Sequence, residues 1–227
     1  MNPIRSVCKG SFTFIKPYLY IFLALEFIHF FINIILAAAG INNHIEVSHA
    51  NVFTAFLFII PIFLPLFVFK YVLYLGASRK SYFLGIVYLF IVSTCIYSIF
   101  NIVWYFFEKH VLIEYKDYFN LIDIFDWNQF GVSGMFLYQF SAYLLVISFL
   151  FLLFSAFWCK KGIVLWMGTA TVIAVSMSIG QLRGMTTEIV GFLLYNRVLW
   201  ISVVCEIALT LMIFLCSWKL FVKQRQI

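Results

Sequence analysis

Three polar residues sit in a stretch of chain that otherwise has no use for water. Glu26, His29 and Asn33 fall at spacings i, i+3 and i+7 inside a long apolar run, which on a helix sets them along one stripe. A carboxyl beside an imidazole can pair with it, pass a proton, or hold a substrate or a neighbouring helix. In hydrocarbon an ionisable group faces protein or water, so the stripe marks the inward side of its helix. The readings open at this point are a Glu–His pair or a protonated Glu26 bonded to a neighbouring helix, a direct part in proton or substrate handling, and a subunit contact. Glu206 is a second intramembrane carboxyl, in the last apolar run. Of the four histidines, only His29 is placed inside a span. With no second histidine at that depth, no nucleophile turn and no paired-glutamate motif, no catalytic residue and no metal site is expected.

A different chemistry, recognition by charge, belongs to the segment Leu75-Gly76-Ala77-Ser78-Arg79-Lys80-Ser81-Tyr82-Phe83-Leu84-Gly85 between two apolar runs. Two adjacent cations cost about 2.5–3.5 kcal/mol each at the centre of a membrane helix, so this knuckle must surface at a membrane face. Arg79 and Lys80 can meet an acidic rim on a partner, and Tyr82 and Phe83 are residues of the type that anchor interfaces. The plainer alternative is that the cations only fix topology and touch lipid headgroups.

The elements that must position these groups follow from composition. The 227 residues are 65% hydrophobic, 21% aromatic and only 11% charged, with a mean hydropathy of +1.05. That excludes a soluble domain and predicts an all-α membrane protein. Apolar runs of the length a ~30 Å hydrocarbon core demands recur along the whole chain. Six spans are expected, at about 17–39, 51–74, 82–107, 132–157, 163–180 and 197–218. Residues 1–16 read as a basic amphipathic helix lying in the headgroup plane, with Asn2 as cap and Pro3 at its first position. Pro61 and Pro65, one turn apart, predict a bend or an unwound turn in the second span. Residues 108–129 read as an acidic solvated loop whose part from Tyr118 to Phe130 forms a surface helix. Residues 181–196 are too short to cross and read as an extracellular hairpin before the last helix. Cys8, Cys95, Cys159, Cys205 and Cys216 stand singly, which indicates neither zinc nor a disulfide framework.

Charge sets the orientation. With both termini cytoplasmic, the inner side receives Arg5, Lys9, Lys16, Lys70, Arg79, Lys80, Lys160, Lys161, Lys219, Lys223 and Arg225, which are 11 of the 15 cations. The outer side takes seven of the nine acids, and Glu26 and Glu206 are the other two. The positive-inside rule is met at every loop, so the net charge of +6 is topology and no nucleic-acid partner is expected.

Six spans, an amphipathic N-terminal helix and a first inner loop with Gly76, Ser78, Arg79 and Lys80 followed by Tyr82 and Phe83 together resemble the ABC-2 class of ATP-binding-cassette permeases. The resemblance implies that these six residues form a coupling helix seated on a separate ATPase subunit. It also implies a second permease half, identical or related, and an exported substrate that is hydrophobic or amphipathic, such as a peptide or a lipid-like molecule. The chain has no GxxxxGK[ST] loop, so ATP hydrolysis belongs to the partner and no cofactor is expected here. The competing classes are a non-transporting membrane partner, such as an immunity or sensor-anchor protein, a secondary carrier, and an intramembrane protease.

Overall fold

The computed structural model describes residues 3–40, 46–112 and 118–223. The expected cap at Asn2 and the charges Glu114, Lys116, Asp117 and Arg225 lie outside them. The protein is a multi-pass helical membrane protein, and the described residues include six helices long and apolar enough to cross a bilayer.

Helix α1 runs from Pro3 to Ala38 without interruption. The expected division near Pro17 between an interfacial helix and a first span is therefore not found. Pro17 leaves one carbonyl, that of Thr13, without its helical donor, a loss that long membrane helices tolerate. At 1.5 Å per residue the rod is about 54 Å long, room for both segments in one element. Val7, Ser11 and Ile15 are buried, and Val7 meets Gly85, where an added Cβ would lie 2.8 Å from its Cγ1. The absence of a side chain at Gly85 thus lets the start of α1 lie flat on the helix that carries this glycine.

The second membrane passage is built from α2 (His49–Phe63), a π turn (Leu64–Val68) and α3 (Phe69–Tyr74). The π turn falls on Pro65, and the amide of Phe69 reaches back five residues to the carbonyl of Leu64. The two prolines thus widen one turn instead of unwinding it. The third passage is α4 (Arg79–Phe107), continued by a π turn to Leu112.

Next comes a compact cap. Strands β1 (Glu46–Val47) and β2 (Tyr118–Phe119) pair in parallel, followed by the short α5 (Leu121–Ile124) and a 3-10 turn (Trp127–Phe130). Ile122 and Trp127 are buried, so the expected surface helix over Tyr118 to Phe130 is instead a folded plug. Helix α6 (Gly131–Ala156) is the centre of the bundle, with Tyr138, Ile147 and Phe151 fully enclosed. It packs on α2, on α4 and most extensively on α9 (Leu199–Cys216).

Helices α7 (Lys160–Ser178) and α8 (Gly180–Leu194) are peripheral, and α8 buries no residue. The turn into α7 needs Gly162, because a Cβ there would fall 1.8 Å from the carbonyl oxygen of Ala156. Helix α8 is too short to cross a bilayer. Its last carbonyls are held by side chains of the bundle: Trp127 Nε1 donates to Leu194 O at 3.0 Å, Tyr138 OH to Leu193 O at 2.8 Å and Ser202 Oγ to Phe192 O at 3.2 Å. These satisfy acceptors that a helix C-terminus leaves open.

Candidate functional site

Two ends of the bundle carry the groups that the sequence singles out. At one end lies the knuckle, and its shape follows from two local devices. The amide of Gly76 bonds Leu73 O at 2.9 Å and that of Ala77 bonds Val72 O at 3.2 Å, the pair of bonds that closes a helix through a left-handed residue. Gly76 has φ +85°, where a glycine is unstrained. Two residues later Ser78 caps α4, its Oγ accepting from the amide of Ser81 at 3.0 Å. Gly76 and Ser78 therefore set the turn, and Arg79 and Lys80 are the first two residues of α4 itself.

The rotation of α4 corrects the expected role of the aromatic pair. Tyr82, Gly85, Ile86 and Phe90 form its buried stripe, whereas Lys80, Leu84 and Tyr88 face outward. Tyr82 is fully enclosed and meets Phe69 edge-on, with ring centres 4.9 Å apart. Phe83 lies against Trp218, ring centres 5.2 Å apart. Neither ring is placed to anchor a partner. The large exposed side chains of the turn are instead Tyr74, at 75% exposure, and Leu75, at 66%. Arg79 turns inward to the end of the last helix, Nη1 donating to the carbonyl of Lys223 at 2.7 Å. The start of α1, the knuckle and the end of the chain's last helix thus share one face, as an even number of spans requires.

At the opposite end the predicted stripe on α1 meets α2. Glu26 Oε2 lies 3.2 Å from His49 Nδ1 and 4.0 Å from His29 Nδ1. The Asn33 amide is 3.1 Å from His29 Nε2. The structure thus brings Glu26, His29 and Asn33 together and adds His49, which lies just outside the second span expected from residue 51. Ser48 was the signal. It caps α2, its Oγ accepting from Ala50 N at 3.2 Å, which starts the helix two residues earlier and carries His49 inside.

Beneath this pair runs a hydrogen-bonded network that sequence reasoning missed. Glu108, expected in a solvated loop, is only 4% exposed. Trp104 Nε1 donates to its Oε1 at 2.7 Å, and Asn120 Nδ2 to its Oε2 at 3.3 Å. Asn120 also reaches Ser48 Oγ at 3.1 Å, and Asn101 Nδ2 donates to Gln139 Oε1 at 2.7 Å. Asn51 completes the seam between cap and α2: its Nδ2 donates to Phe119 O at 2.8 Å, and its Oδ1 accepts from Leu121 N at 3.1 Å. The polar groups of the cap are therefore largely spent on holding three helices and one loop together.

Glu206 belongs to neither cluster. It is fully buried on α9, where Ser141 Oγ of α6 donates to Oε2 and Oε1 is without a partner. This joins the two most intimately packed helices of the bundle. Glu206→Gln keeps the shape and the acceptor, and is expected to change stability by less than about 1 kcal/mol. Ser141→Ala removes the only donor to the carboxyl among the described residues and is expected to cost about 1–2 kcal/mol. Unfolding in mild detergent, followed by tryptophan fluorescence, measures both.

No protein family, curated protein or solved structure matches this chain.

Proposed function

We propose that this chain is the membrane-spanning subunit of a transporter driven by a separate ATPase, of the ABC-2 type that its knuckle resembles. It resides in the cell membrane with both termini in the cytoplasm. The observation that carries the reading is the basic face itself. A turn fixed by Gly76 and Ser78 projects Tyr74, Leu75 and Lys80 outward from the end of the bundle where the last helix also finishes. Aromatic and aliphatic anchors beside a cation suit a protein partner with an acidic rim. The coupling contact is accordingly assigned to Tyr74, Leu75 and Lys80. Gly76 and Ser78 shape the turn, Arg79 ties it to the last helix, and Tyr82 and Phe83 seat it on the bundle.

Transport requires a second half of the same kind, identical or related, to enclose a pathway. Helix α8, tied at its C-terminal end to the cap, takes the place of the extracellular hairpin. The exported molecule is hydrophobic or amphipathic, and a lateral groove of about 490 Å³ between α1, α2 and α4 supports that class. It is lined by Phe12, Leu19, Phe56, Ile60, Tyr88 and Ile96, among other residues, and opens to the side of the bundle.

Purification of the chain from its native membranes in mild detergent tests the proposal. A nucleotide-hydrolysing subunit is expected to elute with it. Recovery of the chain with no such subunit, under conditions that preserve its own fold, favours a non-transporting membrane protein.

A further inference from the structure

We propose that Glu26, His29 and His49 form a binding site for a divalent transition metal, zinc foremost, that pins α1 to α2 at the end of the bundle opposite the knuckle. Among the described residues these three offer one ligand atom each, and all three atoms lie within 4.8 Å of one another. A tetrahedral zinc with bonds of about 2.0–2.1 Å to nitrogen and oxygen holds its ligand atoms about 3.3–3.4 Å apart. The Glu26–His49 separation of 3.2 Å meets that spacing already. The Glu26–His29 separation of 4.0 Å meets it after a small rotation of the exposed imidazole.

Two further observations favour a ligand over a plain Glu–His pair. His49 is 3% exposed, so packing holds its ring in place with Nδ1 already turned to the Glu26 carboxyl. Asn33, itself buried, lies against the far nitrogen of His29. With its carbonyl turned to that nitrogen it accepts Nε2–H and leaves the Nδ1 lone pair for the metal, the usual outer support of a metal-bound imidazole.

The surroundings define the ion. Two imidazoles and one carboxyl select a borderline transition metal over calcium or magnesium, which prefer all-oxygen sets. Phe30 and Trp104, with ring centres 5.3 and 6.2 Å from that of His49, keep water from its inner side. The His29 side chain is 54% exposed, so the fourth position is not covered by protein. Helix α1 buries few of its residues, and a bond to α2 fixes its far end. The inference is independent of the transport reading and survives its failure.

Cobalt reports the geometry by its visible bands. The tag-free full-length protein in detergent, stripped with chelator, is expected to bind one Co²⁺ per chain with the spectrum of a tetrahedral site, and to yield it to Zn²⁺. Glu26→Gln and His29→Ala each weaken binding by at least about tenfold. His49→Ala does the same, and because that ring is buried the surface variant His29→Ala carries the test if it misfolds. His110→Ala is the control: that ring is exposed and bonds Phe106 O at 2.9 Å. No tetrahedral Co²⁺ spectrum in the wild-type chain overturns the site, as does a spectrum that survives in Glu26→Gln and His29→Ala or disappears in His110→Ala.

Discussion

Replacing Lys80 and Leu75 with glutamate and aspartate is expected to abolish ATPase docking and ATP-driven transport while the bundle stays folded. Both side chains are outside the core, with Leu75 at 66% exposure, and substitutions at such positions leave stability within about 0.5 kcal/mol. At the proposed coupling contact they act otherwise. A reversed charge opposite an acidic rim adds repulsion to a lost attraction, and an aspartate in place of an apolar anchor leaves a buried charge unpaired. Together these are expected to weaken the complex by at least about 100-fold, read as loss of copurification and of substrate-stimulated ATP hydrolysis. Tyr82→Ala is the contrasting variant. Its ring is enclosed against Phe69, so it is expected to destabilise the bundle by about 3–5 kcal/mol, as large aromatic truncations in cores do. If Tyr82→Ala abolished docking in a protein of unchanged stability, and the Lys80 and Leu75 variants docked normally, the coupling contact would lie on the other side of α4.

The second large effect is expected at Glu108. Its carboxyl accepts from Trp104 Nε1 and Asn120 Nδ2 in a site that is 4% exposed. Glu108→Ala leaves Trp104 Nε1 without its acceptor, at about 1–3 kcal/mol, and takes one of several acceptors from Asn120 Nδ2, so a loss of about 2–3 kcal/mol is expected. Asn120 also bonds Ser48 at the head of α2, and the damage should therefore spread to the seam between cap and helix. Glu188→Ala, on the exposed α8, is expected to change stability by no more than about 0.5 kcal/mol. Thermal unfolding of the two variants in the same detergent decides the matter. Equal small effects would return Glu108 to the solvated loop in which composition alone had placed it.

Glu108 shows where the sequence stops being legible. An apolar run of about 20 residues has one solution in a bilayer, and five of the six expected spans match helices whose ends differ by a few residues. Those ends are set by caps. Ser48 and Ser78 each start a helix earlier than the hydrophobic pattern does, and in doing so move His49 into the core and make Arg79 and Lys80 helical. Pro17 misled in the other direction, since in an apolar helix a missing donor does not force an end. The stripe Glu26, His29, Asn33 was readable because helical spacing fixes neighbours along one element. The partner His49, 23 residues away from Glu26, was not, because no local pattern encodes which helices meet. The inward rotation of Tyr82 was encoded by the buried spacing Tyr82, Gly85, Ile86, Phe90, and was masked by reading the segment as a loop.

The most direct test of the central claim is the side of the membrane on which the knuckle lies. In a chain with its five native cysteines replaced, Tyr74→Cys and Gln129→Cys place single thiols at exposed positions on opposite ends of the bundle. A membrane-impermeant maleimide applied to intact cells is predicted to label residue 129 and to spare residue 74 until the cells are permeabilised. Labelling of residue 74 in intact cells, with residue 129 protected, would put the basic face beyond the reach of any cytoplasmic ATPase and contradict the account.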